Sequence, residues 1–563
     1  MLLGIDVGGT FTDAVIIDEG RIVTWSKQRT TKDNLMCGIE VALQQVTADI
    51  DEKAIERVTL STTVVTNTVV EHKEDIVDLY IVPGPGMNVD NAFPVDPIYV
   101  HGYTDHRGIV VESYDADALK GVCHTHRYAA VSAKFANRNP LEEIQIAELL
   151  DVSYDFVSRG AALRGALNFP RRTISAYFNS AVVGVLKEFK CAVIHALQQI
   201  GIEAPIYILK ADGGSLSLDG ALQKPVETIF TGPAATVLGL YAFQSIHEGH
   251  TVALDIGGTT TDISLWRNGV PLMTKGGVYI REYPSAVRSF AVTSIGIGGE
   301  SVVRCVDGHI TVGPDRVGPS MALGGSEPTL GDALIVLGKA QYGDVAAAFR
   351  GIENLDISIE VVEMAERILH VALEHIKKGI DGVVALENKR PIYVVDDIVH
   401  QHLFLPRQLV VVGGSASSLA PSIGDYLGLP VKVPDGAAVT NAIGAAVAKE
   451  TMEITVRVDT KRRLLVVPEL GIREQGCSLR HIEAVEQKAK DILTTFAMEH
   501  NILDGIHSSI HGAFHRESME NHEIQIEIIN IEDFPVVEGW QSVERIMTVQ
   551  AQLQVGVTQY VES

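Results

Sequence analysis

The chain has 563 residues, 46 Lys and Arg against 71 Asp and Glu, and a formal net charge of -25 at pH 7. That length implies several domains, and 46% hydrophobic with 21% charged residues is the composition of a folded globular protein. The acidic excess excludes a nucleic-acid surface, which needs a basic face to displace phosphate counterions. Any polyanion held here must be gripped by local backbone dipoles and a metal ion.

The start, MLLGIDVGGTF, has no basic stretch and places Asp6 inside its apolar run, so it is not read as a signal peptide. Cys37, Cys123, Cys191, Cys305 and Cys477 lie far apart without a CxxC pair, the usage of a reducing compartment. No run approaches the ~18 apolar residues of a membrane span. A cytoplasmic protein without membrane contact is expected.

In chain order, DVGGTFTD (6–13) reads as a buried strand, a Gly-Gly turn with hydroxyl residues, and a second strand. VTLSTTVVTNTVVE (58–71) reads as a strand running into a helix, with Thr62, Thr63 and Asn67 either beside a ligand or capping that helix. His124 and His126 in CHTHR read as alternation in an edge strand rather than a metal pair, and 129–136 as a strand. Residues 171–200 have helical spacing, with Tyr177, Val182, Leu186 and Phe189 on a core face. Arg172, Thr173 and Asn179 lie in that stretch, and Arg172 either pairs with an anionic group or is solvated.

IYILKADGG (206–214) and LVVVGGSAS (409–417) read as strands ending at glycine pairs, as ligand-facing strands of α/β sheets often do. Residues 438–450 form a small-residue helix that can pack closely against a neighbour. After about 451 the chain turns to alternating β-like segments and a polar helix near 482–500, a separate α+β tail. His507, His511 and His515 stand there at helical spacing, interrupted by Gly505 and Gly512.

The most informative feature is a repeat. DVGGTFTD (6–13) recurs 249 residues later as DIGGTTTD (255–262), identical at six of eight positions. Each Gly-Gly turn lets backbone N–H groups approach an anion, and the Thr hydroxyls add donors. One such turn is usually only a turn. Two in constant register, with both aspartate pairs kept, are what gripping a phosphate chain from two sides requires.

The hairpins resemble the phosphate-1 and phosphate-2 motifs of the actin, heat-shock-chaperone and sugar-kinase ATPase superfamily. IFTGPAATVLGLYA (229–242) is similar to its first connecting helix, and 438–450 to its second. SIGIGGES (294–301), with Gly298 and Gly299, is similar to its glycine turn; VVVGGSAS (410–417), with Gly413 and Gly414, resembles its adenosine motif. Over roughly residues 1–450, the wording GIDVGGTFTDAV, STTVVTNTVVE, ILKADGGSLSLDGALQKPVETIFTGPAA, LDIGGTTTDISL, TSIGIGGES and DGHITVGPDRVGP is similar to the hydantoinase A/oxoprolinase family. The chain departs from that family in the cysteine-free GPSMALGGSEPTLGDAL (318–334), in Gly298-Gly299-Glu300 for three glycines, and in GGSAS for GGAGP.

The resemblance implies an α/β fold of duplicated actin-like (ribonuclease H-like) ATPase lobes around a nucleotide cleft, 1–240 and 241–450, plus a small α+β C-terminal domain, 451–563. It implies ATP and Mg²⁺ as cofactors, and ATP-dependent opening of a hydantoin-like or oxoproline-like cyclic amide by phosphorylation of its carbonyl oxygen. A second hydantoinase-type subunit is a possible partner. Phosphoryl transfer needs mainly alignment and charge neutralisation. The N–H groups of Gly8, Gly9, Gly257 and Gly258 and the hydroxyls of Thr10, Thr12, Thr259 and Thr260 would supply donors. Asp6 and Asp255, with Asp262 as a further candidate, would hold Mg²⁺ largely through water. Asp13 or Asp262 would orient a nucleophilic water or the substrate. Glu300 is either catalytic or a helix-start carboxylate.

Two other readings stay open: a carboxylase subunit of the same family acting on a ketone, and an ATP-driven reactivating or chaperone-like factor. A simple sugar kinase is disfavoured, because TTVVTN and GPAA lie outside kinase patterns. Hinge closure of the two halves over the nucleotide, with 229–242 and 438–450 crossing between them, is the expected motion.

Overall fold

The computed structural model describes residues 1–30, 35–89, 91–120, 126–389, 403–499, 524–538, 541–555 and 561. Two sheets organise it, and their central strands follow one pattern. In the first, strand Leu2–Val7 pairs antiparallel with Phe11–Asp18, which pairs with Arg21–Arg29. On its other side Leu2–Val7 lies parallel to Arg57–Thr62, which lies parallel to Ile206–Leu209. In the second sheet His250–Ile256 pairs antiparallel with Thr261–Arg267, which pairs with Val270–Pro271. Its other neighbour is the parallel strand Gln408–Val412, followed by Val431–Lys432. The sequence repeat is therefore a repeat of topology, the duplicated actin-like α/β lobe. Leu3, Ile5, Val252 and Leu254 are fully buried, the continuous apolar run of central strands covered on both faces.

Between Arg57–Thr62 and Ile206–Leu209 the chain inserts a four-stranded parallel sheet, Phe156–Arg159, Tyr128–Ala133, Val77–Val82 and Ile98–Tyr99 in spatial order. The helical stretch expected over 171–200 is two helices, Phe169–Ala181 and Val183–Ile200, with Tyr177, Val182, Leu186 and Phe189 all buried. A long helix that the sequence reading did not single out, Val361–Asn388, buries Met364, Ile368, Ala372 and Ile376 in the core of the second lobe.

Helices Thr231–Ala242 and Thr440–Val447 cross each other at backbone contact. A Cβ on Gly444 would stand 1.8 Å from the Ala235 carbonyl oxygen, and one on Gly4 would stand 2.0 Å from that of Ala442. Only glycine allows such approaches, so strand Leu2–Val7 and both crossing helices are locked into one layer. The first helix is also pinned at its start, where the Thr231 hydroxyl donates to the Thr62 carbonyl at 2.7 Å.

Strand Glu450–Asp459 leaves the second crossing helix and pairs antiparallel with Leu464–Val467 and Gln541–Val555. Helix Ile482–Glu499 lays Val485, Ala489, Leu493 and Ala497 on these strands in a core of their own. A single parallel bridge, Ser215 to Glu450, joins this α+β part to the first sheet. None of the described helices is long and apolar enough to cross a membrane.

Candidate functional site

Both hairpins close in the same way. Gly8 N–H donates to the Phe11 carbonyl at 3.0 Å, and Gly257 N–H donates to the Thr260 carbonyl at 3.0 Å. These two amides, expected as ligand donors, are thus engaged inside their own turns. In each hairpin the aspartates face one another across the strands, Asp6 opposite Asp13 and Asp255 opposite Asp262.

The first tip is braced by the strand behind it. Thr30 N–H donates to the Thr10 carbonyl at 2.9 Å, and the Thr30 hydroxyl donates to the Gly8 carbonyl at 2.8 Å. Thr12, read from sequence as a donor to the ligand, is fully buried with its hydroxyl 3.0 Å from that of Thr30. It stiffens the turn from inside. Gly9 is exposed at the tip, and Thr10, Gly257, Gly258 and Thr259 are half-buried, with Thr260 exposed.

The four carboxylates form one electrostatic unit. Burial pushes the Asp6 and Asp255 carboxyls up, and lifts Asp13 to about 7 and Asp262 to about 6. Asp255 raises the other three further, so charge from the second hairpin is felt at the first. Opposing this, Lys27 Nζ lies 2.6 Å from Asp13 Oδ2 and also donates to the Ala438 carbonyl at 3.0 Å. The Ser294 hydroxyl donates to Asp262.

A side-chain bridge joins the hairpins. Asn441 Nδ2 donates to Asp6 Oδ2 at 3.3 Å, while Thr236 Oγ1 stands 2.6 Å from Asp255 Oδ2 and 2.7 Å from Asn441 Oδ1. The single Thr236 proton serves one of its two neighbours at a time. Thr236 and Asn441 belong to the two crossing helices, so those helices align the carboxylates of both lobes as well as linking the lobes.

The glycine turn and the Gly413 segment pack on the second hairpin. Gly299 N–H donates to the Gly257 carbonyl at 3.0 Å and Glu300 N–H to the Gly258 carbonyl at 2.6 Å. A Cβ on Gly298 would stand 2.6 Å from the Gly258 carbonyl carbon. Gly413, at φ +96, lies so close to the hairpin that a Cβ there would be 2.4 Å from Asp255 Oδ1, whereas Gly414 faces open space. Glu300 pairs with Arg29 of the first lobe at 3.3 Å and with Arg316 of its own lobe at 2.7 Å.

Oδ1 of Asp6 and Oδ1 of Asp13 are buried without a hydrogen-bond partner. Orphaned oxygens among mutually repelling carboxylates are the chemistry of a cation seat. Among the described residues no three His, Cys, Asp or Glu side chains are grouped to grip a metal directly. The two orphaned oxygens suit contact with a hydrated cation such as Mg²⁺ through its water.

Sequence reasoning missed Thr236, Asn441, Lys27, Arg29 and Arg316. The first two carried a signal, a polar residue in an otherwise small and apolar helical run. Thr63 and Asn67 do adjoin the first tip: the Thr63 hydroxyl donates to the Val7 carbonyl at 3.3 Å, and Asn67 Nδ2 lies 3.8 Å from where a Cβ on Gly9 would sit. Thr62 accepts from Val64 N–H at 3.2 Å, a helix-start role.

Arg172 is neither solvated nor at the cleft. It is fully buried and donates to the carbonyls of Ala133, Lys134 and Ala166. Asn179 and Thr173 are likewise bonded within the first lobe, Asn179 to Ser158 and Val226, Thr173 to Ser132. His126 Nδ1 lies 2.6 Å from Asp78 just before strand Tyr128–Ala133. His124, His507, His511 and His515 lie outside the described residues.

Residues 2–153 match the hydantoinase/oxoprolinase N-terminal region, and residues 172–454 match the hydantoinase/oxoprolinase domain. The chain belongs to the hydantoinase/oxoprolinase family. Among its relatives is the caprolactamase subunit alpha of Pseudomonas jessenii, 23% identical over 481 residues, covering 77% of this chain and 68% of that one. The acetophenone carboxylase gamma subunit of Aromatoleum aromaticum is 24% identical over 456 residues, 69% of this chain and 62% of that one. Among solved structures, nucleotide-free acetone carboxylase superposes with a TM-score of 0.71 at 17% identity, covering 99% of this chain and 88% of that one, which shows the shared fold.

Proposed function

We propose that this protein is an ATP-dependent hydrolase that opens a cyclic amide by phosphorylating its carbonyl oxygen. The observation that carries the proposal is the bridge from Asp6 through Asn441 and Thr236 to Asp255, which supports a shared site for the carboxylates of the two hairpins. The family membership and the caprolactamase relative support a lactam-like substrate.

An amide carbonyl resists water because resonance with nitrogen quenches its electrophilicity. When the carbonyl oxygen attacks the terminal phosphorus, the bond to the ADP oxygen breaks and that resonance is lost. One water then adds to the carbon, and the C–N bond opens as nitrogen takes a proton. The resulting acyl phosphate yields carboxylate and phosphate to a second water. Mg²⁺, when bound, would neutralise charge on the phosphate chain, with Asp6 and Asp255 holding it through water.

The chain's own residues align the reactants and move protons. Asp13, lifted to about 7 by burial against the pull of Lys27, has the affinity of a base that works near neutral pH. Asp262, lifted to about 6, is the second candidate. The crossing helices supply the hinge that would close the cleft and exclude water from the transfer step.

A carboxylase subunit acting on a ketone is the second reading, favoured by the acetophenone carboxylase relative. Both named relatives are subunits, which supports a partner chain. The scattered free thiols of Cys191, Cys305 and Cys477 support a reducing, cytoplasmic setting. The test is phosphate release from Mg·ATP against hydantoins, 5-oxoproline, larger lactams, and ketones with bicarbonate. Stimulation by a cyclic amide without bicarbonate is expected. Bicarbonate-dependent stimulation by ketones alone would replace this reading with the carboxylase, and ATP turnover blind to every small molecule would replace both with a chaperone-like cycle.

A further inference from the structure

We propose that Arg29 and Arg316, held by Glu300 between the two hairpin tips, form the seat of the terminal phosphoryl group, which takes the place of Glu300 on them when nucleotide binds. The inference rests on the nucleotide reading above and names side chains of this chain for the group that is transferred.

Arg29 and Glu300 are each fixed to a tip, and Arg316 is held by Glu300. Arg29 ends strand Arg21–Arg29, and its successor Thr30 is bonded through backbone and side chain to Thr10 and Gly8 of the first turn. The Arg29 guanidinium also lies over the Phe11 ring, 5.7 Å from its centre. Glu300 is bonded through its N–H to the Gly258 carbonyl, and its carboxylate lies 3.2 Å from where a Cβ on Gly258 would sit. Arg316 reaches the same carboxylate with Nε and Nη2, both at 2.7 Å. The ion triad thus spans the gap between the two turns that face one another.

Charge points to an anion there. Two guanidinium groups share one carboxylate, leaving a positive surplus in a chain whose net charge is -25. The bond from Arg29 is single and long at 3.3 Å, against about 2.7–2.9 Å for a strong charge-assisted contact, so Arg29 is held loosely. Its side chain is 46% exposed, while Glu300 is 10% exposed. A doubly charged phosphoryl group offers the planar arginine forks more acceptor oxygens than one carboxylate, and it repels Glu300. A diphosphate lacks that group and leaves the triad intact. The triad would therefore read the difference between the two nucleotides.

The experiment is calorimetric titration of the full chain with Mg·ADP and with Mg·AMPPNP, a non-hydrolysed triphosphate. Arg29→Ala should weaken AMPPNP about 10–100-fold and ADP by less than about threefold. Arg316→Lys, which keeps the charge and loses the fork, should show a smaller loss of the same selectivity. Glu300→Gln should tighten AMPPNP several-fold and leave ADP unchanged, because the competing anion is gone. Wild-type protein that binds neither nucleotide would overturn the nucleotide reading itself. Wild-type binding with an AMPPNP-to-ADP ratio unmoved by Arg29→Ala, or weakened AMPPNP binding in Glu300→Gln, would overturn this inference alone.

Discussion

Asp6 and Asp255 are joined through Asn441 and Thr236, although Asp6 and Asn441 are 435 residues apart in the chain. Hydrogen bonds from Asn441 lower both carboxyls against the upward push of burial. Asn441→Ala should therefore leave both carboxyls less ionised and the lobes less well aligned. A stability loss of about 1–2 kcal/mol and a fall in ATP turnover of at least about tenfold are expected. Thermal melts and phosphate release, run side by side, check both.

Gly413 and Gly414 are neighbours with different constraints. Gly413→Ala puts a methyl 2.4 Å from Asp255 Oδ1 at a left-handed φ of +96, whereas Gly414→Ala meets nothing within 4 Å. The first should cost about 2–3 kcal/mol and displace Asp255. The second should change stability by less than about 0.5 kcal/mol. Denaturant unfolding of the pair measures this contrast, and equal losses would contradict the packing described.

Arg172 is buried, donates to three carbonyls and opposes the upward push of burial on Glu143. Arg172→Ala should destabilise the first lobe by about 3–5 kcal/mol, since the three acceptors lose their donor and Glu143 loses a compensating charge. A variant that melts normally but has a raised KM would point instead to an anionic substrate at Arg172.

Glu450, where the second lobe hands over to the C-terminal strands, is raised from 4.5 to about 7 by burial, with Arg57 pulling the other way. Between those values the folded protein keeps a proton that the unfolded chain has lost. Stability should therefore be highest at the acid end of that window and fall as pH rises through it, by up to about 3 kcal/mol. Glu450→Gln removes this slope, so the variant should gain on wild type as pH rises from 5 to 8, read from unfolding free energies across that range.

The repeat of DVGGTFTD was legible because a strand–turn–strand unit stores its geometry within eight residues. The second crossing helix was legible for a similar reason: Gly444 sits in a run of small residues, AIGAAVA, that announces close packing, whereas the first was read from the family resemblance alone. The bridge and the arginine triad were not, because Thr236 to Asn441 and Arg29 to Glu300 are pairs 205 and 271 residues apart. Nothing local in the strand RIVTWSKQR (21–29) distinguishes Arg29 from an ordinary edge-strand cation; only the fold brings it to Glu300. Arg172 misled for the opposite reason, since a charged residue ahead of an apolar helix face reads as solvent-facing until the carbonyls of Ala133 and Lys134 are seen to surround it.

The most direct measurement pairs wild type with Asp255→Asn. Asp255 is half-buried with its carboxyl pushed upward by desolvation, so the neutral amide should keep the fold. Mg·AMPPNP should bind wild type in a one-to-one complex, and Asp255→Asn should melt normally while losing ATP turnover by at least about 100-fold. Near-normal turnover in the folded Asp255→Asn protein would contradict the claim that the two hairpins converge on a magnesium-bound phosphate chain.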